Sequence, residues 1–185
     1  MQLYLVLTAT SSLLSKTIKL YTKASYNHAS IALTPNLDDL SSFGRKEMHN
    51  PFIGGFVTED ISHEFFLNAR CTIYSCELSF EEYHQIKEQL DYFHQNKEQL
   101  RYNLLGLIAL AVKIDYQRNH AFFCSEFIAT ILTDSGVYQF SKKPHMVTPQ
   151  DLQNLKIFTH IYTGTISNYL LQIQKVKKPL IYEYA

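Results

Sequence analysis

"HAFFCSEFIATIL", residues 120–132, sets Cys124 behind two phenylalanines and at the head of an apolar run with helical spacing. The pattern predicts a helix that begins near Phe122 and ends before Gly136. Cys124 then falls in its first turn, where unsatisfied backbone N–H groups and the positive end of the helix dipole favour an anion. A free thiol has a pKa of about 8.5, and a helix N-terminus or an adjacent imidazolium lowers that value. Cys124 is therefore a candidate nucleophile. A packing role is the competing reading, because free cysteine is among the most buried residue types.

A thiol nucleophile needs a base. Of eight histidines, His84 and His94 fall in a charged helical stretch, His49 and His63 in a loop-like one, and His145 beside "KKP". His28 differs, since it opens the apolar alternation "HASIAL" (28–33), where a buried polar ring requires a hydrogen-bonding task. His120 lies four residues before Cys124 and offers a two-ligand metal alternative, which without a third ligand makes a poor site.

"HASIAL" reads as one arm of a hairpin that turns through "TPNLDD" (34–39) and returns in "LSSFG" (40–44). Before it, "LYLVLT" (3–8) is a buried strand and residues 11–23 are a helix. Residues 45–68, with Pro51, Gly54 and Gly55, read as a long ordered loop. "RCTIYSCELS" (70–79) is a strand. "SFEEYHQIKEQLDYF" (79–93) opens with the S-x-x-E capping relation of a helix. A helix over Tyr102–Lys113 and a short one with Thr148 as N-cap and Pro149 at N1 follow. "KIFTHIYTG" (156–164) and "NYLLQIQKV" (168–176) read as closing strands.

Seventeen basic residues balance seventeen acidic ones, so no global field draws the chain to nucleic acid or to anionic lipid. The run "KVKK" (175–178) is a short solvated patch. The longest apolar run, Leu104–Val112, is half of what a membrane span requires, and the start "MQLYLVLTATSSLLSK" lacks the basic region of a signal peptide. Cys71, Cys76 and Cys124 fit no disulfide or zinc framework. A cytoplasmic protein of one domain, residues 1–185, is the expectation, with no metal or organic cofactor. Cys71 and Cys76, five apart, would point to opposite faces of a strand.

A strand histidine in "YNHASIAL" (26–33), a polar position on the next strand and a much later "FCSEFIATIL" helix (123–132) together resemble the circularly permuted branch of the papain-like NlpC/P60 superfamily. "SSFGRK" (41–46), "NPFIGGFV" (50–57) and "YNLLGL" (102–107) are similar to its YiiX-like bacterial members. The resemblance implies an α+β fold in which an antiparallel sheet carrying His28 packs against the helix carrying Cys124. It further implies a cysteine peptidase or amidase acting on a peptide, amide or acyl ester, with Cys124 as nucleophile and His28 as base. It favours Ser42 as the residue that orients the imidazole; Asp38, Asp39 and Glu59 are substitutes that read as turn or loop residues. Arg45 is a candidate clamp for a substrate carboxylate, and Tyr102 borders the cleft. Two rivals share the arrangement: an acyltransferase or thioesterase of the lecithin:retinol acyltransferase type, and a non-catalytic binding module.

Overall fold

The computed structural model describes residues 1–9, 25–47 and 50–177. The helix expected over residues 11–23 and the end of the basic run at residue 178 lie outside them. Six strands form one sheet: β1 (Gln2–Ala9), β2 (His28–Ala32), β3 (Ser41–Glu47), β4 (Asn50–Thr58), β5 (Arg70–Glu77) and β8 (Thr159–Thr165). Their order is β4-β3-β2-β1-β5-β8, antiparallel at every pair. Between β4 and β5 stands a single helical turn, α1 (Glu64–Leu67). Helices α2 (Phe80–Gln95), α3 (Leu104–Ala111), α4 (Cys124–Asp134), α5 (Pro149–Gln153) and α6 (Ile166–Lys177) complete the α+β fold. A two-stranded parallel ribbon pairs β6 (Arg101–Tyr102) with β7 (Ala121–Phe122), and a 3-10 turn covers Pro144–Met146.

The sheet is covered on both faces because β1 is apolar on both. Leu3, Leu5 and Leu7 join Ala29, Ile31, Phe43 and the α4 side chains Phe127, Ile128 and Ile131 in one core. Tyr4 and Val6 join Cys71, Ile73 and the α6 residues Ile166 and Tyr169 in the other. Cys71 and Cys76 fall into different cores, as the two-residue period of a strand requires. The first core is rich in phenylalanine: Phe127 lies 5.0 to 5.6 Å, ring centre to ring centre, from Phe43, Phe56 and Phe93. These edge-on and tilted contacts join α4, β3, β4 and α2.

Two expectations are corrected. Half of the stretch over residues 45–68 is strand: β3 runs on to Glu47 and β4 occupies Asn50–Thr58. Gly54 and Gly55, which suggested a loop, are there for clearance: a Cβ on either would come within 2.7 Å of Tyr102 or of the Leu100 carbonyl oxygen. "NYLLQIQKV" belongs to α6, not to a strand. Ile166, Tyr169, Leu170 and Ile173 fall on the i, i+3, i+4, i+7 stripe of a helix packed on the sheet.

Replacing Phe127 by Ala removes the ring on which three others converge. It should cost about 3–5 kcal/mol. In denaturant titrations the midpoint should fall while the slope stays constant.

Candidate functional site

Period-two alternation places His28 and Ser30 side by side on β2. A single carboxylate serves both: Glu59 Oε1 pairs with His28 Nε2, and Ser30 Oγ donates to Glu59 Oε2 at 2.7 Å. Glu59 sits one residue beyond β4, anchored by its own N–H to the Leu40 carbonyl at 2.7 Å, and is buried. A carboxylate taken out of water needs such partners, and here each oxygen has one.

Ser42 does not orient His28. Its hydroxyl donates to the Ala29 carbonyl at 2.7 Å, across the β2–β3 gap, and so ties strand to strand. The register, with Ile31 opposite Ser41, places Ser42 opposite Ser30 and Gly44 opposite His28. Asp39 is a turn residue, its carboxylate accepting from Leu33 N–H and the Thr34 hydroxyl, and Asp38 is exposed. Arg45 is placed by its backbone, opposite Gly54 in the β3–β4 ladder; its side chain lies outside the described residues.

Cys124 is the first residue of α4 and is buried. The N-cap position is Phe123, whose side chain caps nothing, so the first-turn N–H groups receive no side-chain acceptor from it. Glu126 reaches back instead and accepts the Phe123 N–H at 3.2 Å. Asn103, the N-cap of α3, lies against the same carboxylate with its Nδ2 at 3.5 Å and accepts Gly106 N–H on Oδ1. One buried carboxylate thus joins the N-termini of α3 and α4. Ser125 fixes the other side of the turn, donating to the Val147 carbonyl at 2.7 Å.

The Cys124 thiol contacts the His28 ring. Burial pulls the His28 pKa down, but the Glu59 carboxylate and the Cys124 side chain outweigh it and hold the ring well above the ordinary histidine value. The charged form of the ring is thereby favoured. With Nε2 engaged by Glu59, Nδ1 is the nitrogen left to the thiol. Cys71 and Cys76 have no such neighbour: burial pushes Cys71 up to about 12 and raises Cys76 as well. Burial likewise drives Glu126 up to about 7, against the hydrogen bonds from Phe123 and Asn103.

Beside Cys124 opens a cavity of about 510 Å³. Leu107, Leu110 and Ala111 of α3 form one wall, Met146 and Pro149 another, and Tyr102 stands at its edge with Cys124. Among the described residues no cluster of histidine, cysteine and carboxylate is disposed to hold a metal ion. His120 and Cys124 are separated by β7 and the Phe123 cap, so they share no helix face.

Both raised groups make stability fall with rising pH. Folded Glu126 retains a proton between the ordinary glutamate value of 4.5 and about 7 that the unfolded chain has released. The stabilisation that His28 gains from its partners is complete below about 6.5 and is lost as pH rises through the higher folded value. Glu126→Gln should flatten the loss between pH 4.5 and 7 in denaturant titrations across pH. Glu59→Gln should lower the His28 titration, followed by NMR of the ring protons, because burial is then opposed by the Cys124 side chain without the Glu59 charge. Ser42→Ala should leave that titration in place.

Set against protein families, curated proteins and solved structures, the chain matches none.

Proposed function

We propose that the chain is a cysteine-dependent hydrolase or acyl transferase built as a permuted papain-like domain of the NlpC/P60 kind. The observation that carries this reading is the line Glu59–His28–Cys124, with the cysteine in the first turn of α4, where the Phe123 side chain accepts none of the N–H groups. His28 takes the proton of the Cys124 thiol as Sγ attacks the carbonyl carbon of an amide or ester, and the electron pair of the C=O bond moves to oxygen. First-turn N–H groups of α4 receive that oxyanion. His28 passes its proton to the leaving amine or alkoxide as the carbon–heteroatom bond breaks, which leaves a thioester on Cys124. Water, or an acceptor nucleophile, then gives its proton to His28 while attacking the thioester, and Sγ departs. Glu59 keeps the ring oriented and favours its charged form, the work for which a serine hydroxyl is poorly suited.

A carboxylate beside His28, in place of the serine on which the non-catalytic reading rested, supports the catalytic one. The aliphatic wall of the cavity beside Cys124, Leu107, Leu110 and Ala111, suits the acyl chain of an ester or thioester, and Lys113, Lys142 and Gln150 line the cavity as well. A free thiol nucleophile suits a reducing compartment.

Incubation with activated acyl esters, read by intact-mass and peptide mass spectrometry, should give one acyl adduct, on Cys124. Cys124→Ala should abolish it. His28→Ala should slow turnover by about 10² to 10⁴, and Glu59→Gln should move the alkaline limb of the rate profile to lower pH. Limited iodoacetamide treatment should label Cys124 before Cys71 and Cys76. Equal labelling of all three, or no adduct from any ester or amide, would sink the proposal.

A further inference from the structure

Helix α3 is apolar along its whole length, "LLGLIALA", yet only Gly106 in it is buried. Leu107, Leu110 and Ala111 face the cavity that holds Cys124. Leu105, Ile108 and Val112, three and four residues apart, form the opposite stripe, and Ile114 continues it; each is more than half exposed. With Tyr116, one segment of twelve residues holds five of the eleven exposed large hydrophobic residues named among the described ones. Scattered singly such residues mean nothing, but a contiguous patch marks an interaction surface.

The margin of the patch is basic. The helix ends in a Schellman turn, Ile114 N–H to the Ala109 carbonyl and Lys113 N–H to the Leu110 carbonyl. The left-handed position of that turn usually belongs to glycine; here it is Lys113, with φ 60°. Lys113 is exposed, stands between Val112 and Ile114 in the chain, and also lines the cavity. Lys113 and the exposed Arg118 make no ion pair among the described residues. Asp115, the acid of this segment, is held by Lys143 at 2.6 Å and by His145 at 2.6 Å.

We propose that α3 and the segment to Tyr116 form a peripheral membrane-docking surface for an anionic phospholipid bilayer, with the aliphatic stripe entering the acyl boundary and Lys113 and Arg118 meeting headgroup phosphates. Charge complementarity points to this occupant, since the chain as a whole is neutral while this edge is positive. A stable second copy is disfavoured by size, because five side chains are few beside the roughly 20–30 residues a partner contributes to a standard interface. The proposal does not require the site to be catalytic.

The chain contains no tryptophan, so one can be introduced as a position-specific reporter. Ile108→Trp should show a blue-shifted emission with phosphatidylcholine vesicles containing phosphatidylglycerol, and Leu171→Trp, on α6 against the opposite face of the sheet, should not. In flotation assays with those vesicles Ile108→Asp should weaken binding more than tenfold. Lys113→Gln should weaken it about fivefold, with no effect on pure phosphatidylcholine. Both sites are exposed, and unchanged circular dichroism would verify the fold. Cys124→Ala should float like the native chain, so a failure of docking and a failure of the catalytic reading are separate results. The proposal is overturned if the native chain does not float, if Ile108→Asp floats equally well, if both tryptophans shift alike, or if light scattering shows a dimer that Ile108→Asp dissociates.

Discussion

A strand buried on both faces tolerates no slip, because a shift of one residue exchanges its two sets of side chains. β1 is such a strand, with leucines at 3, 5 and 7 in one core and Tyr4 and Val6 in the other. Its register against β2 pairs Thr8 with His28, and that of β3 against β4 pairs Ser42 with Val57. Carried across the sheet, the same alternation sets His28, Ser30 and Glu59 on one side. The charged pair at the site is thus a product of packing elsewhere: move one ladder by a residue and Glu59 would lose both of its partners.

Much of this was legible. Cys124 at the head of an apolar helix and His28 at the head of a strand follow from spacing alone, as does the capped start of α2, where Ser79 and Glu82 exchange hydrogen bonds with each other's backbone. Glu59 does not stand out as the principal partner in the sequence, because Pro51, Gly54 and Gly55 give residues 45–68 the look of a loop. Their Gly54 and Gly55 obscure the alternation, and without a strand there is no face to assign. Read as a strand opposite "SSFGRK", the same residues put Val57 with Ser42 and carry Glu59 to the side of His28. Ser42 was favoured for its nearness to the histidine, but its hydroxyl was already committed to a backbone carbonyl, and no sequence pattern reports such a commitment.

The cavity and the nucleophile are mechanically coupled through Glu126. This side chain is the capping acid of α4 and also the contact point of Asn103, which starts α3. Gly106 is indispensable there, because a Cβ would collide with the Asn103 side-chain amide. A displacement of α3 is therefore transmitted to the turn that carries Cys124. Glu126 is buried at this junction, and that burial pushes its pKa up to about 7.

The outer strand β8 ends without a loop, Thr165 of the strand being followed at once by Ile166 of α6. Its pairing with β5 shifts between Ile73 and Tyr74, so that Ile161 has no partner in the ladder. An outer strand with a straight row of free amides and carbonyls invites another strand to add to it. Here the shift kinks that row, threonines at 159, 163 and 165 make it polar, and the helix departs where the row would continue. This side of the sheet is a poor template for fibrillar stacking.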